Sequence, residues 1–238
     1  MNAPPELDLL YVDEHLIVVD KPAGIAVHRS NLVGADDDDV FDRLRRQIEG
    51  PLHLAHRLDR ATSGVLLVAR SVEAAADLGR QLMDRKVEKS YLAVVRGWPA
   101  ESGTIDHPLT GASLKGERKP ARTNWRRLAT VELPIEMGRY PQQRYALLDV
   151  EPETGRYQQI RRHFAHASHH IVGDTTHGRG DHNRLFRMHY GVHRLLLHAW
   201  RLRFAHPADG RAMGLSAPVD AMWIKALAGL GWTLPAVT

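Results

Sequence analysis

Residues 56 to 70, HRLDRATSGVLLVAR, place a charged cluster directly before an apolar run. Asp59 lies between Arg57 and Arg60, and cationic neighbours favour the ionised form of a carboxyl group. A carboxylate on a loop at the edge of a core can act as a nucleophile or as a base. The same pattern also fits an ion-paired turn residue that has no catalytic role.

The apolar run after Asp59 is the element expected to hold it in place. Residues 65 to 69, VLLVA, are typical of a strand covered on both faces, although periodicity alone also fits a buried helix. Ser63 and Gly64 favour a turn just before this run. We therefore predict that Asp59 lies on a loop fixed by a buried strand.

Composition limits the classes of protein to consider. With 238 residues, 43% of them hydrophobic, the chain should form one substantial core, whole or divided into two lobes. The absence of cysteine excludes disulfides, thiolate metal sites and a cysteine nucleophile. No apolar run approaches the roughly 18 residues of a membrane span and Met1 to Leu10 does not resemble a signal peptide, so we expect a soluble cytoplasmic protein. The net charge of +4 is unevenly distributed, which suits a polyanionic partner or an ordinary solvated surface.

Alternating and helical patterns predict the other elements. The predicted strands cover residues 7–12 and 16–20, which form a hairpin, and residues 88–97, 145–151 and 195–204. The first predicted helix has the apolar face Val40, Leu44 and Ile48 and is capped within Asp36 to Asp39, and the second runs from Ser71 through Arg85. A third helix is opened by residues 154–163 with the apolar face Ile160, Phe164 and Ala167, and a final helix is started by Ser216 and Pro218 with Trp223 in the core.

Two aromatic residues are candidates for contact with a ligand. Tyr91 lies on a predicted strand, where a tyrosine can be half-buried core or part of a site. Trp125 lies among the basic residues between Arg118 and Arg127. Basic residues mixed with an aromatic can hold single-stranded or distorted RNA, and they fit an exposed strand edge equally well.

The histidines raise the question of a metal site. His163, His166 and His169 repeat every three residues on a predicted helix. Ligands at this spacing drift around the helix axis, and no carboxylate shares the spacing. We therefore predict no metal site, and a histidine-dependent metallohydrolase is kept only as an alternative.

Several segments resemble the RluA family of pseudouridine synthases. The signature HRLDxxTSG matches residues 56 to 64, and Lys89-x-Tyr91-x-Ala93-x-Val95-x-Gly97 is similar to the family's second motif. Residues 154 to 163 resemble the third motif, TGRxHQIRxHxA, and residues 171 to 178 resemble its GDxxYG end. Leu197-His198-Ala199 is similar to the closing motif, and the resemblance extends over about residues 7 to 232.

The resemblance implies a role for each matching residue. Asp59 would be the catalytic carboxylate, Arg161 its ionic partner, and Tyr91 would stack on the target base near the proton to be moved. Leu197 would line the uracil pocket, while Arg57 and Arg60 would contact the RNA. The sequence departs from the third motif at two positions, where Gln158 replaces His and His177 replaces Tyr. Glutamine carries no proton at neutral pH, so Gln158 should be structural or contact RNA.

The resemblance also implies a fold and a reaction. The expected fold is a mixed α/β (α+β) catalytic domain over residues 7 to 232, built from two mainly antiparallel sheets side by side with a central cleft, without a separate N-terminal RNA-binding domain. The expected reaction isomerises uridine to pseudouridine in RNA and needs no cofactor. Asp59 could attack the ribose to form an ester or remove a ribose proton, and both mechanisms remain open.

Segments between the motifs indicate the RNA. Residues 27 to 30, 95 to 98, 128 to 132 and 138 to 145 resemble one branch of the family, whose target is uridine 65 in the T-stem of tRNA. This branch places Arg29, Arg139 and Tyr140 near the cleft. We therefore expect a monomeric enzyme acting on tRNA, with ribosomal RNA as the alternative substrate and a non-catalytic RNA-binding module as the alternative class.

Overall fold

The computed structural model describes residues 5–28, 38–113 and 116–234. These residues form a mixed α/β structure with ten strands and five helices, which confirms the predicted class. None of the five helices in the described part of the chain has both the length and the apolar character needed to cross a membrane.

The bounds of the elements agree with most of the predicted segments. The strands are β1 (Asp8–Val12), β2 (Leu16–Lys21), β3 (His53–Leu54), β4 (Ser63–Ala69), β5 (Glu88–Arg96), β6 (Ser102–Asp106), β7 (Arg122–Leu133), β8 (Gln143–Pro152), β9 (Leu197–Ala205) and β10 (Ala212–Ser216). The helices are α1 (Val40–Gln47), α2 (Val72–Met83), α3 (Gln159–His166), α4 (Gly180–Tyr190) and α5 (Ala221–Gly229).

The chain divides into two compact units. Unit 1 consists of Met1–Glu88 and Ala199–Pro218, and unit 2 consists of Lys89–His198 and Val219–Thr238. The division falls within β9, whose first two residues belong to unit 2. A single catalytic domain over residues 7 to 232 stays a prediction.

In unit 1 the strands follow the order β1-β2-β4-β9, with β3 paired to β4 and β10 paired to β9. The β1–β2, β2–β4, β3–β4 and β9–β10 pairs are antiparallel. Every residue of β4 is buried, as expected for a continuously apolar strand covered on both faces. Its side chains Val65, Leu67 and Ala69 join Leu78 of α2 in one apolar core.

The helices of unit 1 begin at capping residues of the expected kind. The Asp39 side chain accepts a hydrogen bond from the backbone N–H of Asp42 at the start of α1, whereas Asp36 lies outside the described residues. Ser71 caps α2 in the same way. The prediction that α2 continues through Arg85 is wrong, because Arg85 has a φ of 58° and the helix ends at Met83.

In unit 2 the strands follow the order β5-β8-β7-β6, and these neighbouring pairs are antiparallel. Tyr91 on β5 lies opposite Val150 on β8, and Trp125 on β7 lies opposite the same residue. The register of β7 shifts between Arg127 and Ala129, which marks a bulge. The strand continues to Leu133, beyond the basic residues between Arg118 and Arg127.

Two helices of unit 2 begin later than predicted. Gln158 has a φ of 49°, so α3 begins at Gln159 and not near Thr154. The cap of α5 is Asp220, whose side chain accepts from the Trp223 N–H, and not Ser216. Trp223 is fully buried, as predicted. Helix α4 was not predicted, because its sequence is polar and only Leu185 and Phe186 form an apolar pair.

Candidate active site

Asp59 lies on the loop between β3 and β4 in unit 1, as predicted. Its carbonyl oxygen accepts a hydrogen bond from the backbone N–H of Thr62, which closes a tight turn before β4. Leu58 is buried beside it, Asp59 is half-buried, and Arg57 and Arg60 are exposed. The loop therefore anchors an apolar side chain in the core and leaves the carboxylate at its edge.

A buried lysine ties this loop to the turn after β2. The Lys21 Nζ donates to the carbonyl oxygens of Pro22, Ile25 and Arg60, at 2.8, 2.9 and 3.2 Å. Gly24 adds two contacts with Arg60, one through its backbone N–H and one through its carbonyl oxygen, which accepts from the Arg60 Nε at 2.7 Å. An ammonium group with three carbonyl acceptors restrains the residue that follows Asp59.

Gly64 explains why the signature ends in glycine. Its φ is 108°, and a Cβ atom there would lie 2.1 Å from the carbonyl oxygen of Ala199 on β9. No other residue type can occupy this position without a shift of backbone. The first residue of the signature is also structural, because His56 Nε2 accepts a hydrogen bond from the Leu67 N–H at 3.0 Å. Both residues fix β4 beneath the Asp59 loop.

Tyr91 is half-buried on β5 in unit 2. Lys89 lies two residues earlier, so its side chain projects from the same face of the strand. Burial lowers the pKa of Lys89. Among the residues that the structure describes, Lys89 has no side-chain hydrogen bond or ion pair. Its amine is therefore a further polar group on the face of β5 that carries Tyr91.

Arg161 on α3 forms a buried ion pair with Asp174. The Arg161 Nε donates to Asp174 Oδ2 and the Arg161 Nη2 donates to Asp174 Oδ1, both at 2.8 Å. Burial by itself would raise the pKa of Asp174, but the hydrogen bonds from Arg161 and from the backbone N–H of His177 outweigh it and keep that pKa below its ordinary value. The two parallel hydrogen bonds to the Asp174 carboxylate therefore hold the planar guanidinium group of Arg161 in one orientation.

The loop after α3 is built around Asp174. The backbone N–H groups of Thr176 and His177 donate to Asp174 Oδ1, each at 2.9 Å. Asn183 on α4 accepts from the Gly173 N–H and donates to the Asp174 carbonyl oxygen. The loop thus orients Asp174, which in turn orients Arg161.

The two departures from the third motif are in contact. His177 Nε2 lies 2.7 Å from Gln158 Oε1, and the His177 carbonyl oxygen accepts from His170 Nδ1 at the same distance. Because an amide oxygen only accepts, His177 donates through Nε2. Gln158 therefore has a structural contact in unit 2, in accord with the role expected for a side chain that carries no proton.

Trp125 is packed into unit 2. Its ring lies edge-on to Phe164 of α3, with centroids 5.9 Å apart, and a Cβ on Gly103 would lie 2.3 Å from the ring. The indole Nε1 donates to the Ala100 carbonyl oxygen at 3.4 Å. The ring is thus held by the strand pair β6–β7 and by α3, and its contact with RNA stays a prediction.

The three regularly spaced histidines have separate partners, and only His163 and His166 lie on α3, because the helix ends before His169. His163 is buried and bonds the Thr123 hydroxyl and the His107 carbonyl oxygen. His166 stacks on His107, with ring centroids 3.8 Å apart, and His169 bonds the Arg96 carbonyl oxygen. Within residues 5–28, 38–113 and 116–234, no group of three or more histidine, cysteine, aspartate or glutamate residues could hold a metal ion.

The predicted site residues, taken together, are distributed over both units. Leu197 is buried at the start of β9 in unit 2, and Tyr140 is exposed between β7 and β8. Arg29 lies outside the described residues. Asp59 belongs to unit 1 whereas Tyr91 and Arg161 belong to unit 2, so their common site stays a prediction.

The sequence patterns assigned no role to Lys21, Asp174 and Lys89. Asp174 and Lys89 lie within the family motifs, which was the available signal, whereas Lys21 follows the predicted hairpin. The contacts of Lys21 with Arg60 and of Asp174 with Arg161 became visible only in the fold, because these residues are 39 and 13 positions apart.

Comparison with known proteins agrees with the motifs. Residues 15–166 match the family model described as RNA pseudouridylate synthase. The chain is 44% identical over 239 residues to the protein named tRNA pseudouridine synthase C of Vibrio parahaemolyticus, and the match covers 97% of each chain. It is 43% identical to the protein of the same name from Salmonella typhimurium, over 95% of this chain and 90% of the relative.

A solved structure shares the fold. The human protein described as RNA Pseudouridylate Synthase Domain Containing 1 is 27% identical and superposes with a TM-score of 0.70, covering 92% of this chain and 86% of that protein. The motif order, the family model and the nearly full-length relatives lead to one conclusion. The chain belongs to the RNA pseudouridylate synthase family.

Proposed function

We propose that this protein is a tRNA pseudouridine synthase that isomerises uridine 65 in the T-stem of tRNA. The observation that carries the proposal is the match to relatives named tRNA pseudouridine synthase C over 97% of both chains. The branch indicated by the segments between the motifs is the branch of these relatives.

The reaction rearranges the substrate. Uracil leaves the ribose at N1, rotates, and is rejoined through C5, while the C5 proton is released and N1 takes up a proton. The nucleoside keeps its composition, so the proposed mechanism uses only side chains of the protein. The Asp59 carboxylate attacks C1′ to give a sugar ester or removes a ribose proton, and either step requires an ionised carboxyl group.

Arg161 is proposed to hold Asp59 ionised and oriented. A guanidinium group has five donors, and Asp174 occupies only part of them. The buried pair fixes the plane of Arg161, so the remaining donors have one defined direction. Asp174 is then a positioning residue that acts through Arg161.

Tyr91 is proposed to stack on the detached uracil and to assist removal of the C5 proton. The target nucleotide must leave the stacked helix before C1′ can be reached. Arg57, which is exposed on the Asp59 loop, would fill the gap or hold the RNA backbone, and Arg60 would contact the backbone beside it. Leu197 would form an apolar wall of the uracil pocket.

We further propose that the enzyme is cytoplasmic, where its tRNA substrate is found, and monomeric, since the proposed catalytic residues Asp59, Tyr91 and Arg161 all come from one chain. Sedimentation at micromolar concentration measures the oligomeric state directly. A stable dimer would contradict this part of the proposal and leave the chemistry unaffected.

Mapping of pseudouridine tests the substrate. In a strain that lacks the gene, carbodiimide sequencing should show loss of pseudouridine at position 65 of tRNA, and the wild-type gene should restore it. The purified protein should form the same product on an unmodified tRNA transcript. Loss of a ribosomal RNA site, with position 65 of tRNA still modified, would overturn the tRNA assignment while keeping the enzyme class.

A further inference from the structure

One end of the unit 2 sheet presents two exposed aromatic side chains. Trp98 follows β5 and is 41% exposed, and Tyr140 lies in the connection between β7 and β8 and is 50% exposed. Arg96 pairs with Tyr145, and Leu133 pairs with Gln143, so the end of β5 and the β7–β8 connection lie at the same end of the sheet.

Trp98 is held in its exposed position. Its indole Nε1 donates to the Val131 carbonyl oxygen at 3.1 Å, and the Arg144 guanidinium group lies 4.4 Å from the ring centroid. Arg144 is itself fixed by an ion pair with Glu132. An exposed aromatic ring that is already immobilised loses little conformational entropy when a ligand stacks on it.

Tyr140 has a similar arrangement with its neighbour. The Arg139 Nη2 donates to the Tyr140 hydroxyl oxygen at 2.9 Å, and the guanidinium carbon lies 5.1 Å from the ring centroid. The hydrogen bond from Arg139 lowers the pKa of Tyr140, and the charge of Arg96 contributes to the same shift. Arg139 and Tyr140 are therefore held together as one cation–aromatic pair.

The positive charge at this end is only partly neutralised. Glu132 pairs with Arg144, whereas Arg139 forms no ion pair among the described residues. Arg96 pairs with Tyr145, whose hydroxyl contacts His182 of α4, so the Arg96 side chain lies on the opposite face of the sheet from Arg144. An uncompensated arginine beside exposed aromatic rings matches a polyanion that carries planar groups.

We infer that the arginine–aromatic patch, formed by Trp98, Arg139, Tyr140 and Arg144, binds an unstacked nucleotide of the substrate RNA outside the target uridine. Trp98 and Tyr140 stack on bases, and Arg139 neutralises a phosphate. The inference rests on the proposed function for the identity of the RNA. The fixed ring faces and the uncompensated charge of Arg139 favour RNA as the ligand independently of that function.

Equilibrium binding to an unmodified tRNA transcript tests the patch. Trp98→Ala should raise the Kd by about 5- to 150-fold, because stacking of one base contributes roughly 1 to 3 kcal/mol. Arg139→Gln should reduce the slope of log affinity against log salt by about 0.7 to 0.9, the value for one phosphate contact. Tyr140→Leu removes the second exposed ring and leaves Trp98 in place, and it should also raise the Kd.

Two control variants match these changes on α4. Arg187→Gln removes the same charge from an exposed position, and Met188→Ala truncates a side chain that is 74% exposed. Both should leave the Kd within about twofold of wild type and the salt slope unchanged, as expected for surface changes outside a contact. Urea unfolding of each variant separates loss of binding from loss of folding.

The outcomes separate this inference from the proposed function. If wild-type protein modifies tRNA but the patch variants bind as tightly as wild type, or if the α4 controls lose as much affinity, the patch is wrong and the function stands. If wild-type protein forms no pseudouridine but the Trp98→Ala variant binds RNA more weakly than wild type, the proposed function is wrong and the proposed RNA contact of the patch stands.

Discussion

His177 Nε2 donates to Gln158 Oε1 at 2.7 Å, so the two positions at which this chain departs from the family's third motif compensate each other. Changing only one of them should leave the other without its partner. We expect Gln158→His and His177→Tyr each to lower the free energy of unfolding by about 1 kcal/mol. The double variant, which restores the motif residues, should recover part of that loss. A double-mutant cycle by urea unfolding measures the coupling, and strictly additive effects would contradict it.

Asp59→Asn should abolish turnover and largely preserve RNA binding. The amide keeps the shape of the carboxyl group but is neither a nucleophile nor a base. Tritium release from RNA labelled at C5 of uridine measures turnover, and filter binding measures affinity. The Asp209→Asn variant alters an exposed aspartate on another loop and serves as the control. Appreciable product from Asp59→Asn would refute the assignment of Asp59.

Arg161→Lys should lower turnover strongly, since an ammonium group cannot reproduce the two parallel hydrogen bonds to Asp174. Stability should also fall by about 3 kcal/mol if the buried pair is broken. Arg162→Lys changes the neighbouring arginine, which bonds Thr110, and controls for the substitution itself. Near-normal turnover of Arg161→Lys would show that its planar fork is not needed.

Gly64→Ala should destabilise unit 1 by roughly 3 kcal/mol, because the left-handed φ and the contact with backbone both penalise a Cβ. Gly79 on α2 offers a matched control. A Cβ there meets nothing within 4 Å, and Gly79→Ala should stabilise the protein by about 0.5 to 1 kcal/mol. Urea unfolding measures both, and equal effects would contradict the role of the Ala199 contact.

Acidification should destabilise the protein in a window set by His182. Burial, and then Arg96, lower the pKa of His182 from 6.5 to about 4. Below pH 6.5 the unfolded chain binds a proton that the folded chain excludes, so stability is complete above this value and falls as the pH drops toward 4. The loss between pH 7.5 and 5 should be about 2 kcal/mol smaller in His182→Asn. An identical pH dependence in the two proteins would contradict this assignment.

The sequence predicted elements well where one pattern dominated. The apolar run of β4 and the caps Asp39 and Ser71 are local features, so they are visible without the fold. The start of α3 could not be predicted, because the left-handed backbone of Gln158 accompanies a contact with a residue 19 positions later. Helix α4 lacks a broad apolar face and buries the polar His182, whose partner is the Tyr145 hydroxyl.

The site shows the same division between local and distant information. The motifs singled out Asp59, Tyr91 and Arg161 as candidates and predicted a role for each. They did not reveal that Lys21 restrains the Asp59 loop through Arg60, 39 positions away. Buried charges satisfied by distant backbone groups leave no periodic signal in the sequence, so only the fold identifies them.

The interrupted course of unit 1 has a consequence for biosynthesis. Strand β4 leaves the ribosome early, but the Ala199–Pro218 segment that completes its sheet is made about 130 residues later, on the order of 10 s at usual elongation rates. During that interval the nascent chain exposes one edge of a strand that is fully buried in the folded protein and mostly apolar, the kind of surface that aggregates. Overproduction should therefore yield inclusion bodies unless translation is slowed or a chaperone that binds extended apolar segments is supplied.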